Sequence, residues 1–222
     1  MSDHPLYAAL YDRMCAPAEA AGLADRRRRL LAPATGRVLE VGAGTGHNLA
    51  HYPAAVTEVV ALEPDGAMRR RLERRLGECG APVRVVAAGI DDADLEPGSF
   101  DTAVSTLTLC TVPDADSAAR RIAELLTPQG RLLFLEHVRS PGLAGVVQRG
   151  LTPAWKRLVP GCHLDRDVTM SIRRAGLMIG DVERFRLPLV RVLADYGVQG
   201  EARRPRVAPP VEPGHYPRRV PA

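Results

Sequence analysis

Residues 38–46 read Val-Leu-Glu-Val-Gly-Ala-Gly-Thr-Gly, an apolar strand carrying an acid, Glu40, that runs straight into glycines at positions 42, 44 and 46. Glycine permits backbone dihedrals closed to other residues and leaves no Cβ in a ligand's path. A strand, glycine turn and following helix can therefore grip a nucleotide by main chain. The spacing decides which nucleotide. A dinucleotide site wants G-x-G-x-x-G, its third glycine packing helix on strand and its helix N-terminus facing a pyrophosphate; counted from Gly42, that third position holds His47. Glu40 is equally ill-suited to a pyrophosphate. It suits a ligand carrying an ammonium group, which it attracts over a few ångströms.

Working outward, strands and helices alternate. Leu6 to Met14 and Pro17 to Leu31 read as two helices, followed by a first strand over Arg37 to Val41 and a crossover helix starting over Gly46 to Tyr52. Thr57 to Leu62 is a second strand with an Arg-rich helix after it, Val83 to Ala87 a third strand and Phe100 to Ser105 a fourth. Asp114 to Leu126 is a capped helix ending before Pro128, and Gly130 to Glu136 a fifth strand. A helix over Leu164 to Ala175 precedes two closing strands, Leu177 to Phe185 and Ala194 to Val198. Such apolar runs are those of buried parallel strands, and their alternation with helices implies a three-layer α/β fold: a doubly wound, mostly parallel seven-stranded sheet. We expect one domain over residues 1–200, with 1–34 as an N-terminal helical cap, and a flexible Pro/Arg-rich tail over 201–222.

Composition narrows the function classes. The 222 residues are 45% hydrophobic and 25% charged, ordinary for a soluble globular chain. No signal-like N-terminus or long apolar stretch occurs, so a cytoplasmic enzyme without a transmembrane segment is expected, peripheral membrane contact being left open. Cys15, Cys79, Cys110 and Cys162 form no C-x-x-C pair and read as free thiols. His47, His51, His137 and His163 lack ligand spacing on one element, so no metal is expected. The net charge of +4 is nearly all arginine, Lys156 being the sole lysine. The run Arg26 to Arg29 lies near acids on what reads as a solvated helix face, with no interleaved aromatics to stack bases, so no nucleic-acid partner is expected.

The motif E-V-G-A-G-T-G resembles the first motif of class I S-adenosylmethionine-dependent methyltransferases. The resemblance implies their Rossmann-like fold and S-adenosyl-L-methionine as cofactor, leaving as S-adenosyl-L-homocysteine. It implies that Gly42, Ala43, Gly44 and Gly46, with Asn48 beyond them, pass the methionine part, and that Glu40 helps place its amino group. Glu63, directly after strand two and before Pro64, is then the carboxylate for the ribose hydroxyls. At Gly89 and Ile90, which end strand three, many related enzymes carry an Asp toward the adenine amine; here that contact is missing or passes to Asp91 or Asp92. Thr106 and Leu107, after strand four, are either cofactor-facing or packing residues. His137, ending strand five, is a candidate base because imidazole switches near neutral pH.

A narrower resemblance lies further along. T-L-T-L-C-T-V at 106–112, L-E-H-V at 135–138, and P-A-W-K with G-C-H-L-D-R-D between 153 and 167 are similar to the thiol S-methyltransferase branch, over about residues 35–200. Two departures stand out: no apolar anchor precedes the domain as in the animal proteins, and Asp165-Arg166-Asp167 replaces a pattern usually carrying Thr before the Arg. A thiol with pKa of about 8.5 is partly thiolate near neutrality and needs modest help. His137 would take its proton or Arg166, beside Asp165, would stabilise the anion. Tyr7 and Tyr11 of the cap, Thr108, Trp155, Cys162 and His163 are candidate acceptor contacts. Trp155, Leu158, Val159 and Leu143 to Val147 read as an apolar lid or as ordinary core. The expected activity is methyl transfer to a small molecule, a thiol first; an amine such as the phosphatidylethanolamine head group, a natural-product hydroxyl, RNA modification and a non-catalytic cofactor-binding subunit are the alternatives.

Overall fold

The computed structural model describes residues 3–158, 161–190 and 194–205. Seven strands form one sheet: β1 (Gly36–Val41), β2 (Val56–Leu62), β3 (Val83–Val86), β4 (Phe100–Thr106), β5 (Leu126–His137), β6 (Met178–Val190) and β7 (Ala194–Arg203), in the order β3-β2-β1-β4-β5-β7-β6. The first five run parallel, and β7 lies antiparallel between β5 and β6. The order reverses between β1 and β4. Ligands in such sheets bind beyond the carboxyl ends at that point, and β1 ends in the glycine turn.

Two apolar layers follow from the period-2 alternation of the strands. Leu39, Val60, Ala103, Leu132 and Phe134 face the helices α4 (Ala115–Leu125) and α6 (Val168–Arg174). Val38, Val59, Ala61, Val104 and Leu133 face α2 (Ala24–Leu31) and Leu72 of α3 (Gly66–Arg74). Each fully buried Leu or Phe contributes roughly 1.5–3 kcal/mol, so a sheet covered on both faces can carry a polar site at its edge. On β1 and β5 the same alternation sorts the acids: Glu40 shares the α2 face with Val38, and Glu136 shares the α4/α6 face with Leu132 and Phe134.

Four expectations need correction. The crossover after β1 is no helix but a 3-10 turn, Leu49–His51: the backbone takes positive φ at Gly42, Gly44 and Gly46, and Pro53 cuts the segment before β2. The first helix, α1 (Pro5–Ala18), runs through Pro17 and breaks later, in a π turn where Gly22 takes φ 111°. The helix expected from Leu164 starts only at Val168, because the Asp167 carboxylate caps it through Met170 N–H. β7 extends to Arg203, so Glu201 to Arg203 belong to the sheet rather than to a tail. The rest of the expected tail, from 206 on, and Val159 lie outside the described residues. The lid segment after β5 forms one helix, α5 (Gly142–Leu158). Among the described residues no helix is long and apolar enough to cross a membrane.

Candidate functional site

At the end of β1, Glu40 is 1% exposed. Its Oε1 accepts from Asn48 Nδ2 at 2.8 Å and its Oε2 from the Tyr52 hydroxyl at 2.9 Å. Burial lifts the Glu40 carboxyl to about 7, against the downward pull of those two donors. Asn48 also donates to Thr106 Oγ1, and its own carbonyl accepts from Arg27 Nη1 at 3.0 Å, which fixes the amide's orientation. Arg27 continues to Glu19 through Nε at 3.1 Å. Sequence reading placed the Arg26 to Arg29 run on a solvated face; Arg27 is instead buried at 4% exposure and belongs to the site. Only its angular position on α2 separates it from its neighbours in the run.

Glu63, at the end of β2, accepts from Gly44 N–H at 2.8 Å and Asp65 N–H at 2.9 Å, tying the second strand's terminus to the glycine turn. Burial pushes its carboxyl up as well. Ala43 N–H is committed to Leu62 O. Gly42 needs to be glycine: it holds φ 65°, and a Cβ there would lie 2.4 Å from the Thr108 side chain. At Gly44 the same test meets nothing within 4 Å, which leaves an open approach to the turn between the buried Glu40 and Glu63. A buried acid with raised pKa at one end, a second carboxylate at the other and bare main chain between them fit the ammonium, ribose and backbone contacts of S-adenosylmethionine. Pro64 is exposed and Ile90 is buried. Asp91 accepts from the Ser117 hydroxyl on α4, whereas Asp92 Oδ2 lies 3.7 Å from where a Cβ on Gly89 would be.

The N-terminal cap lies on this turn. Asp12 Oδ1 accepts from the Thr45 hydroxyl at 2.6 Å and faces His47 at 3.3 Å, while its Oδ2 meets Arg71 at 3.3 Å. His4 meets Asp65 at 2.8 Å, and Tyr7, Tyr11 and His47 follow one another at ring distances of 5.6 and 6.1 Å. Burial pushes both phenols well above their ordinary range and His47 below its own.

The loop after β4 is organised by a residue that sequence reading passed over. Glu136, wholly buried, accepts through Oε1 from the Ser105 hydroxyl at 2.6 Å, Thr108 N–H at 3.1 Å and Leu109 N–H at 3.0 Å, and through Oε2 from Cys110 N–H at 3.1 Å. Leu107 sits inside this wrap at φ 56°, the one non-glycine residue with positive φ among those described. Thr108 hydroxyl reaches Gly42 O at 3.2 Å, so the loop rests on the glycine turn. Arg166 approaches from the other side: its guanidinium donates to the carbonyls of Leu109 (2.9 Å), Val112 (2.7 Å) and Pro113 (3.3 Å). The expectation of a guanidinium aimed at a thiolate therefore meets a guanidinium engaged with backbone oxygens. Asp165 accepts from Thr152 of α5 at 3.2 Å, away from the Glu40–Glu63 cluster.

His163 N–H bonds Cys110 O at 2.9 Å, bringing the 161–167 segment against this loop. A hydrogen bond between the two thiols pulls Cys162 down and pushes Cys110 up, and Tyr7 feels the charge of both sulfurs. Tyr7, Thr108, Cys162 and His163 thus converge on the loop, with Trp155 half-buried next to Cys162. His137 is buried at 2% exposure on the sheet face opposite Glu136. A cleft of about 560 Å³ between Asp114, Arg166 and Arg174 includes no residue of the glycine turn. Replacing Glu136 by Gln turns one acceptor oxygen into an amide donor facing backbone N–H groups. We expect Glu136→Gln to cost about 2–3 kcal/mol in urea unfolding and, by freeing Thr108 from the turn, to weaken cofactor binding measured by calorimetry.

Comparison with known proteins places this geometry. A family model described as a methyltransferase domain matches residues 39–134. The human thiol S-methyltransferase TMT1B is 32% identical over 179 residues, 78% of this chain and 73% of that protein. The rat TMT1B is 34% identical over 143 residues, 62% of this chain; the chain spans 58% of the rat protein's length. Among solved structures, the N-methyltransferase NodS of Bradyrhizobium japonicum in complex with S-adenosyl-L-homocysteine shares the fold. Its TM-score is 0.65 at 15% identity, over 85% of this chain and 88% of that one. The chain belongs to the S-adenosylmethionine-dependent methyltransferases, in the branch that contains the thiol S-methyltransferases, and is an enzyme with S-adenosylmethionine as its cofactor.

Proposed function

We propose that the protein methylates a small-molecule thiol. The observation that carries this reading is the convergence of three segments similar to the thiol S-methyltransferases. Residues 106–112, the strand end 136–137 and the 161–167 segment interlock around Glu136 and Arg166 beside the glycine turn. In this reading Glu40 takes the cofactor's ammonium group, Glu63 the ribose hydroxyls and Asp92, rather than Asp91, the adenine side. Thr106 and Leu107 border the reacting methyl. Tyr7, Tyr11, Thr108, Trp155, Cys162 and His163 border the acceptor.

Bound S-adenosylmethionine supplies a methyl group already activated by its sulfonium. The chain must then provide alignment, exclusion of water and a destination for the thiol proton. Arg166 acts as a positioning residue that holds the loop. His137, at the end of β5, is the proton acceptor. Its worth is bounded by the thiol itself: with a pKa of about 8.5, about 3% is thiolate at pH 7, so complete deprotonation gains at most about 30-fold.

Three outcomes test these assignments. With labelled cofactor and a panel of thiols, amines and phenols, label should appear on thiols; transfer to amines or phenols with none to thiols would overturn the reading. His137→Ala should leave cofactor affinity unchanged and slow thiol turnover by up to about 30-fold at pH 7, with the deficit shrinking toward pH 9 in a rate profile. For Glu40 the sign follows from its raised pKa. The folded chain keeps a proton between the ordinary carboxyl value of 4.5 and about 7 that the unfolded chain has released, so ligand-free stability falls as pH rises through that window. An ammonium partner needs the carboxylate, so calorimetry should show proton release on cofactor binding and affinity rising by up to about tenfold per pH unit below 7. Glu40→Gln should abolish that dependence.

A further inference from the structure

Helix α5 is turned inside out. Its inward positions are small or polar: Gln148 is 0% and Thr152 7% exposed. Its outward positions are apolar, with Leu143 85%, Val146 67%, Val147 53% and Leu151 41% exposed. Spacings of three, one and four put those four side chains on one stripe. The helix cannot roll to bury them, because its rotation is fixed by specific bonds. Gln148 Oε1 accepts from Ser140 N–H at 2.7 Å, its Nε2 donates to Ser140 Oγ at 3.2 Å, and the Thr152 hydroxyl reaches Gln148 O at 2.8 Å and Asp165 at 3.2 Å. At Gly145 a Cβ would lie 2.2 Å from Ser140 O, so the inward face is also closed sterically.

Charge selects what covers the stripe. Residues 137–164 contain no Asp or Glu, while Arg139, Arg149 and Lys156 are exposed on or beside α5. A second copy of the helix against the first would bring these cations together with no acid to offset them. An apolar stripe on a segment whose charges in sequence are all cationic matches a lipid surface whose headgroups are anionic, the helix lying in the interface plane. We propose that α5 docks the protein onto anionic phospholipid surfaces, with Leu143, Val146, Val147 and Leu151 entering the acyl boundary and Arg149 and Lys156 meeting the headgroups. The placement suits the reaction side of the molecule, since Asp165 and Trp155 link α5 to the 161–167 segment. The inference stands whatever the acceptor is, because its test reads binding rather than turnover.

The full-length protein is sedimented with vesicles of phosphatidylcholine alone and with phosphatidylglycerol added. Binding should be strong only to the mixed vesicles and should fall as salt is raised to about 0.5 M. The double variant Val146→Asp/Val147→Asp should lower the bound fraction at least tenfold with an unchanged far-UV spectrum and cofactor affinity, since both positions face solvent. Arg149→Glu/Lys156→Glu should lower it comparably. No binding to mixed vesicles overturns the proposal, as does binding that both variants leave intact. A dimer in sedimentation velocity that Val146→Asp/Val147→Asp dissociates would likewise overturn it, by assigning the stripe to a second copy.

Discussion

The carboxylate of Glu136 is the group on which the sheet's edge beside the glycine turn depends. Buried at the end of β5, it receives one hydroxyl and three backbone N–H groups from residues 105–110. Those N–H groups belong to a loop with no regular partner strand or helix, and burying them unbonded costs about 1–3 kcal/mol each. Arg166 completes the account by donating to the carbonyls of residues 109, 112 and 113. An acid takes three of the loop's donors and an arginine three of its acceptors, which bonds an irregular segment without a partner strand. That is what sustains Leu107 at positive φ and keeps Thr108 against Gly42.

A second buried relay, from Glu19 through Arg27 and Asn48 to Glu40 and Tyr52, does for the end of β1 what Glu136 does for β5. It differs in one respect. Burial raises both carboxyls, but Glu136 is held by one hydroxyl and three backbone N–H groups, whereas Glu40 is held by two neutral side chains and reaches about 7. A site for a cationic group needs an acid with few charged partners, and Arg27, which bonds Asn48 rather than Glu40, orients the amide and favours the Glu40 charge without a direct bond to it. The cap helices enter the same relay at Glu19 and the glycine turn at Asp12, so the N-terminal segment is continuous with the candidate cofactor site.

What could be read from the sequence follows the same physics. The strands were legible because buried parallel strands are runs of Val, Leu and Ala. Glu40 and Glu63 were legible because acids next to strand termini stand out against such runs. The carboxylate of Glu136 was not, because its partners are backbone N–H groups, which every residue has and no sequence advertises. Arg27 was hidden by its neighbours, four arginines of which one turns inward by virtue of helix phase. The crossover after Gly46 looked helical in composition, yet positive φ at the alternate residues Gly42, Gly44 and Gly46 and the ring of Pro53 leave too little chain for more than a turn. The orientation of α5 was ambiguous for a related reason: a lid and a core helix have the same apolar count, and only Gln148 and Thr152, once placed inward, decide between them.

For the proposed thiol methylation, these constraints also bear on how much chemistry the acceptor side must perform. Arg166 is spent on carbonyls and Glu136 on amides, so neither is available to strip a proton from a weakly acidic hydroxyl. Among the described residues near the interlocked loop, Cys110, Cys162, Trp155 and the Tyr7 ring are soft or apolar, with Thr108 and His163 beside them. An alcohol would be almost entirely protonated there and would need a strong base that this arrangement does not offer. A thiol, already about 3% ionised at pH 7, needs about 30-fold at most from a base, a demand one buried imidazole can meet. Alignment contributes more than that, several kcal/mol where the reacting atoms are held near contact. In the proposed reaction the loop's rigidity, secured by one acid and one arginine, is therefore the larger catalytic asset, and its proposed softness toward sulfur is a property of the side chains that this rigidity brings together.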